Sequence, residues 1–165
     1  VNEKQSVIEG LIPIKHVEPY YKLALKEAQQ SPCVRRKYGV AIAFDNLQTV
    51  ITHNARVTRA CNSACVRERY GIIHGSQTEL GAEVHAEQAA LIEAKGKGLA
   101  FVLAGWKGEK ELKGVNVYPC LVCARMIKYA GYLWVYIKNE TDQITPVSIY
   151  EIIEYREQEL GPVYE

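Results

Sequence analysis

A three-layer α/β/α sandwich, with a mixed β-sheet covered by helices on both faces, is the fold class the sequence predicts. Three observations carry that prediction. Short apolar runs of strand length alternate along the chain with amphipathic runs of helix length. Helix breakers stand at the borders of those runs, as with Pro32, Gly96, Pro119 and Gly131. The chain of 165 residues, 48% hydrophobic and 24% charged, is long enough to bury a core as a single domain. One domain over residues 1–165 is therefore expected, with residues 1–17 as an N-terminal extension and 139–165 as a C-terminal helical segment.

The elements follow in order. EPYYKLALKEAQQSP reads as an amphipathic helix stopped by Pro32. YGVAIAFDNLQTVITHN holds two apolar, β-branched runs around Asp45 and Asn46, the pattern of a hairpin. ARVTRACNSACVRERYGIIHGSQTEL has weak periodicity and reads as a long loop with room for a short helix, and loops of that length in a compact domain usually serve function. VHAEQAALIEAKGKG is a helix closed by lysines and Gly96. LAFVLAGW is a buried strand, and KGEKELKG a polar connection. PCLVCARMIKYAG is a second helix with Pro119 at or just before its first turn and Gly131 past its end. YLWVYIK is a strand, NETDQITP a connection, and VSIYEIIEYREQEL a terminal helix by its apolar spacing. No internal repeat or low-complexity stretch interrupts the series.

Composition narrows the function classes. No segment approaches the roughly 20 apolar residues that cross a bilayer. VNEKQSVIEGLIPIK shows neither a basic start nor a sustained apolar run, so a cytoplasmic setting without membrane attachment is expected. Five cysteines suit metal ligation or thiol chemistry better than a disulfide framework. A net charge of +1 argues against a protein that grips a nucleic-acid backbone. Charge is nonetheless uneven: Cys33 to Arg69 is basic, with Arg35, Arg36, Lys37, Arg56, Arg59, Arg67 and Arg69 against Asp45 and Glu68, whereas Asn139 to Glu165 is acidic. Two solvated surfaces account for this, or else the basic third handles a small anion such as phosphate.

Chemistry concentrates in two places. Cys120 and Cys123, three apart at a helix start, turn both thiols to one side, where the helix dipole favours thiolates. His85 and Glu87 open the preceding helix. Two thiolates and an imidazole suit zinc, and three protein ligands leave the fourth tetrahedral position to water, as in a catalytic rather than structural site. Glu87 then has a task as the acceptor of that water's proton. Residues two apart on a regular helix face different ways, so the His85–Glu87 pair must occupy the first turn. A redox C-x-x-C would leave His85 and Glu87 without a role.

This constellation, His85-Ala86-Glu87 with Pro119-Cys120-Leu121-Val122-Cys123, resembles the cytidine deaminase superfamily, whose zinc signature pairs H-x-E with P-C-x-x-C. SPCVRRKYGVAIAF, Asn54 after the second strand, CVRERYGI, VHAEQ and CARMIKYAG are similar to the deoxycytidylate deaminase branch. The resemblance implies a mixed five-stranded sheet of cytidine deaminase type and a zinc-dependent hydrolytic deaminase of a free pyrimidine nucleotide, deoxycytidylate first among them. It implies that His85, Cys120 and Cys123 hold the zinc and that Glu87 carries protons to the ring nitrogen and the leaving ammonia. It further implies that the backbone beside Ala86 anchors the base and Asn54 the sugar. Arg35 and Arg36 would meet a 5′-phosphate, or else form a solvated turn. Cys33 and Cys61, completed by Cys65, His53 or His74, would form a second, structural zinc site, or else remain reduced thiols. Family members assemble, so a homo-oligomer, up to a hexamer, is implied.

Ala89 stands where the family has asparagine, and VNVY precedes Pro119 where a threonine-bearing strand end belongs. These departures flank the pocket and leave a nucleoside, a free base such as guanine, or a modified purine open as substrates. A nucleic-acid editing deaminase is disfavoured by the acidic C-terminal quarter, and a non-catalytic zinc-binding module would leave Glu87 idle.

Overall fold

The computed structural model describes residues 10–56, 66–72 and 83–161. The main sheet runs β2-β1-β5-β7-β8, formed by β1 (Lys37–Ala43), β2 (Thr49–His53), β5 (Ala100–Lys107), β7 (Trp134–Lys138) and β8 (Ile144–Ser148). Strands β1 and β2 pair antiparallel, as do β1 and β5, while β5 and β7 are parallel and β7 and β8 antiparallel. The sheet is mixed, as expected. Two-residue β6 (Lys110–Glu111) folds back on β5, and β3 (Ala55–Arg56) pairs with β4 (Glu83–Val84) in a separate ribbon.

Period-2 alternation sorts the side chains into two cores. Val40, Ile42, Phe101, Leu103, Val135 and Ile137 face one side, where they meet helices α3 (Ala86–Glu93), α4 (Leu121–Tyr129) and α5 (Ile149–Glu159). Ala41, Ala43, Ala100, Val102 and Ala104 face the other, where α1 (Ile14–Ala28) lies. Alanines dominate this second face, so α1 sits close to the sheet. The closest approach is at Gly39, where an added Cβ would fall 1.9 Å from the Ala24 carbonyl oxygen. α1 buries Val17, Tyr21, Ala24 and Ala28, one stripe of a 3.6-residue repeat. Helices thus cover both faces of the sheet.

Three expectations need correction. Residues 14–17 are not extension but the first turn of α1, and Val17 is fully buried. The helix reads as starting later because Pro19 resembles a first-turn proline. In the structure it stands inside the helix and removes only its own N–H from the ladder. Residues 139–165 are not wholly helical, since 144–148 form β8. Pro146 disguises this strand, yet a proline is tolerated on a sheet edge. The Asn139 side-chain oxygen accepts from the N–H groups of Thr141 and Gln143 and closes the β7–β8 turn. α5 then starts at Ile149, where the Ser148 hydroxyl accepts from the Tyr150 N–H. The third correction concerns KGEKELKG, which is more than a connection: it contains β6, with Gly108 at φ +61° in the tight turn. A 3-10 turn, Gly114–Val117, follows and leads to α4.

Between α1 and the sheet edge, the Tyr21 hydroxyl donates to the Glu111 carboxylate, and the Lys138 ammonium sits 3.2 Å from the same group. Among the described residues no helix is long and apolar enough to cross a membrane.

Candidate metal centre and active-site cleft

Two helix N-termini build the site. His85 is the N-cap of α3, with extended backbone at φ −66°, ψ 148°, and Cys120 is the N-cap of α4 at φ −63°, ψ 163°. This placement answers the angular difficulty between His85 and Glu87: His85 precedes the helical dihedrals, so the 100° step per residue does not apply to it. Its N–H donates to the Gln88 side-chain oxygen at 3.0 Å, which fixes the start of α3. On the sheet side, the Thr52 hydroxyl donates to the Ala86 carbonyl at 2.7 Å.

The imidazole Nδ1 of His85 lies 3.3 Å from Cys123 Sγ and 3.6 Å from Cys120 Sγ, and all three ligand atoms fall within 4.8 Å of one another. Zinc–sulfur and zinc–nitrogen bonds of about 2.3 and 2.0 Å at a tetrahedral angle give a nitrogen–sulfur edge of about 3.5 Å. The donor set and its spacing therefore fit zinc. Among the described residues this is the one such cluster.

The three side chains polarise one another strongly. A hydrogen bond from Cys123 brings the Cys120 thiol down to about 4, against burial and with help from His85. Burial pushes His85 down, but the hydrogen bond to Cys120 and the charge of Glu87 outweigh it and raise the imidazole to about 9. Cys123 is pushed up by its hydrogen bond to Cys120 and by burial. Burial also raises Glu87, with His85 opposing. Glu87 is only 4% exposed.

Glu87, His85 and Cys120 line a cleft of about 530 Å³, its open mouth included. Arg35, Arg36, Asn54 and Cys33 line the same cleft, so the structure gathers most of the expected residues in one place. Their partners refine their roles. Asn54 is buried and braces the start of β1: its Oδ1 accepts from the Tyr38 N–H at 2.8 Å, and its Nδ2 donates to the Arg36 carbonyl at 3.1 Å. One Nδ2 hydrogen is left over for a ligand. Arg35 donates to the Ile72 carbonyl at 3.1 Å and Arg36 to the Asn116 carbonyl at 3.2 Å. Ala86 is fully buried and is not among the lining side chains.

Of the expected second metal site Cys33 lies 3.9 Å from a Glu83 carboxylate oxygen, and Cys61, Cys65 and His74 lie outside the described residues. His53 is engaged elsewhere, 2.8 Å from Glu27.

Sequence reasoning assigned no individual role to Tyr38, Arg67, Glu83 and Tyr118, all of which line the cleft. Arg67 belongs to the four-residue α2 (Val66–Arg69) inside the long basic loop, and it is buried. Its signal was present in the excess of arginine before Arg69, but nothing in the pattern distinguishes it from its neighbours.

Comparison with known proteins agrees with this geometry. The family model for the cytidine and deoxycytidylate deaminase zinc-binding region matches residues 14–138. The cytidine deaminase of Burkholderia pseudomallei superposes with a TM-score of 0.52 at 15% identity, covering 82% of this chain and 94% of that one. The cytidine deaminase of Mycobacterium tuberculosis gives 0.48 at 19% identity, covering 82% and 91%. No curated protein matches the chain.

Proposed function

Because the chain belongs to the cytidine and deoxycytidylate deaminase zinc-binding family, and so is a hydrolytic deaminase, we propose that it converts a free pyrimidine nucleotide, deoxycytidylate first, to its uracil counterpart with release of ammonia. The observation that carries the reading is a buried glutamate, Glu87, sharing one cleft with His85 and Cys120, on which Cys123 also converges. Those three residues would hold the zinc, which when bound supplies an acidified water as the nucleophile. Glu87 takes the water's proton, delivers it to ring N3 as the amine-bearing carbon is attacked, and passes a proton to the departing amine. Water adds its oxygen to the ring and ammonia leaves, so the reaction balances. Asn54 offers its remaining amide hydrogen to the sugar, and the main chain beside Ala86 meets the base.

Arg35, Arg36 and Arg67 place three cations on the cleft wall, which supports a 5′-phosphate on the substrate. One observation favours a second reading. Arg35 and Arg36 already donate to main-chain carbonyls, and if these arginines only shape the wall, the substrate is a nucleoside or a free base. Assay of deoxycytidylate, deoxycytidine, cytosine, guanine and a modified purine separates the two. A nucleotide enzyme shows a kcat/KM for deoxycytidylate well above that for deoxycytidine, and parity between them removes the phosphate from the proposal. Glu87→Gln tests the chemistry: a folded, zinc-loaded variant with almost no turnover is expected, and full activity would refute the proton-carrying role.

Self-assembly belongs to the same proposal. Val122 and Tyr129 on α4 and Tyr150 on α5 are exposed apolar side chains suited to a second copy, with oligomeric mass by light scattering as the check. A cytoplasmic setting belongs to the same proposal, because cysteines that are to ligate zinc must stay reduced.

A further inference from the structure

The C-terminal quarter of the chain meets the main chain beside the candidate metal centre through Arg156. Ile149, Ile152 and Arg156 occupy positions i, i+3 and i+7 of α5, and all three are buried. An arginine thus takes a place on the apolar stripe, where an unpaired charge is strongly destabilising. Each of its three nitrogens donates a hydrogen bond. Nε donates to the Pro119 carbonyl at 2.9 Å, Nη2 to the Tyr118 carbonyl at 2.6 Å, and Nη1 to the Glu159 carboxylate at 2.9 Å. The guanidinium also lies 5.5 Å from the Tyr155 ring centroid, and that ring packs edge-on against Tyr118.

Tyr118 and Pro119 are the two residues before Cys120, in the link between the 3-10 turn and α4. Pro119 has no N–H to contribute, and the Tyr118 N–H reaches back to the Val115 carbonyl at 3.2 Å. The planar guanidinium fork holds two successive carbonyls of this link at once, a geometry an ammonium cannot reproduce. Docking of α5 on α4 does not depend on this contact alone, since Arg125 and Glu157 pair across the same helices at 3.4 Å.

We propose that Arg156 is a positioning residue for the metal centre: by clamping the Tyr118 and Pro119 carbonyls it fixes Cys120 where one ion can take its thiolate together with Cys123 and His85. The proposal rests on the reading of those three residues as the zinc ligands. It ties a helix beyond the matched family region to the chemistry of the cleft.

The test uses the full chain with Arg156→Met, which fits the apolar stripe, Arg156→Lys, which keeps the charge, and Glu157→Gln as a control on the other α4–α5 contact. Zinc affinity is measured by chelator competition, ligand geometry by the thiolate-to-metal absorption of the cobalt(II)-substituted protein, and metal-free stability by urea unfolding. Arg156→Met is expected to bind zinc about 10- to 100-fold more weakly, as loss of an outer hydrogen-bond partner of a metal site typically does. Its cobalt band should shift or weaken, Arg156→Lys should fall between, and Glu157→Gln should match the parent. Parent-like zinc affinity and cobalt spectrum in Arg156→Met or Arg156→Lys overturn the proposal, and Arg156→Lys decides alone if the methionine variant does not fold. Weaker zinc binding with an unchanged cobalt spectrum, in proportion to lost metal-free stability, also overturns it by showing a purely structural role. Zinc retained by a Cys120→Ser/Cys123→Ser double variant removes the ligand reading itself, and this proposal with it.

Discussion

A buried amide and a buried carboxyl show how differently single residues at this site can be read. Glu87 lines the cleft beside the candidate ligand trio, so its proposed chemistry follows from where it stands. Asn54 serves the fold as well as the proposed sugar contact, because its amide satisfies the Tyr38 N–H and the Arg36 carbonyl. Asn54→Ala leaves those groups without their partner and is expected to cost about 1–3 kcal/mol in urea unfolding. Unchanged stability with a raised KM would instead make the amide a sugar contact alone. Cys123→Ser exchanges a soft thiolate for a neutral hydroxyl. Zinc affinity should fall by more than the about 10- to 100-fold typical of losing an outer hydrogen-bond partner, as read by chelator competition. The candidate trio of His85, Cys120 and Cys123 with Glu87 nearby was legible in the sequence because zinc ligation and proton transfer favour those residue types at those spacings. Arg156 was not, although an arginine on the stripe set by Ile149 and Ile152 was a visible anomaly.

Helix α1 and strand β8 show where pattern reading succeeds and fails at the level of elements. The stripe of α1 is legible, but its start is not, because a proline in the second turn imitates one in the first. Strand β8 is short, carries Pro146 and runs directly into a helix, so its local pattern is ambiguous. Pairing with β7 decides it. Gly39 marks the place where α1 crosses β1, and Gly39→Ala drives a methyl group into the Ala24 carbonyl. A loss of about 1–3 kcal/mol or more is expected, read as a lowered thermal midpoint. Ser148→Ala removes the cap of α5 and should cost about 1 kcal/mol in the same assay. If Arg156 acts as proposed, fraying of α5 should also weaken zinc binding.

Across the whole molecule, the site exists because the sheet brings two distant helix starts together. α3 follows β4 and α4 follows the β5–β6 hairpin, yet both pack on the face of Val40, Phe101 and Val135, with their first residues meeting at one point. Zinc binding to this folded arrangement and not to the unfolded chain should stabilise the domain. At free zinc 100 times its dissociation constant the gain is about 2.7 kcal/mol, so chelation should lower the melting temperature and added zinc restore it. A melting temperature indifferent to chelation would mean that the trio holds no metal. The sequence by itself determined the layer architecture and the candidate ligand types with an acid beside them, since periodicity and donor chemistry are local properties of the chain. Only the tertiary structure decided that β8 is a strand, that Asn54 braces β1 and that Arg156 reaches the cysteine loop. Each of those depends on a partner far away in sequence, and no local spacing records where such a partner will come to lie.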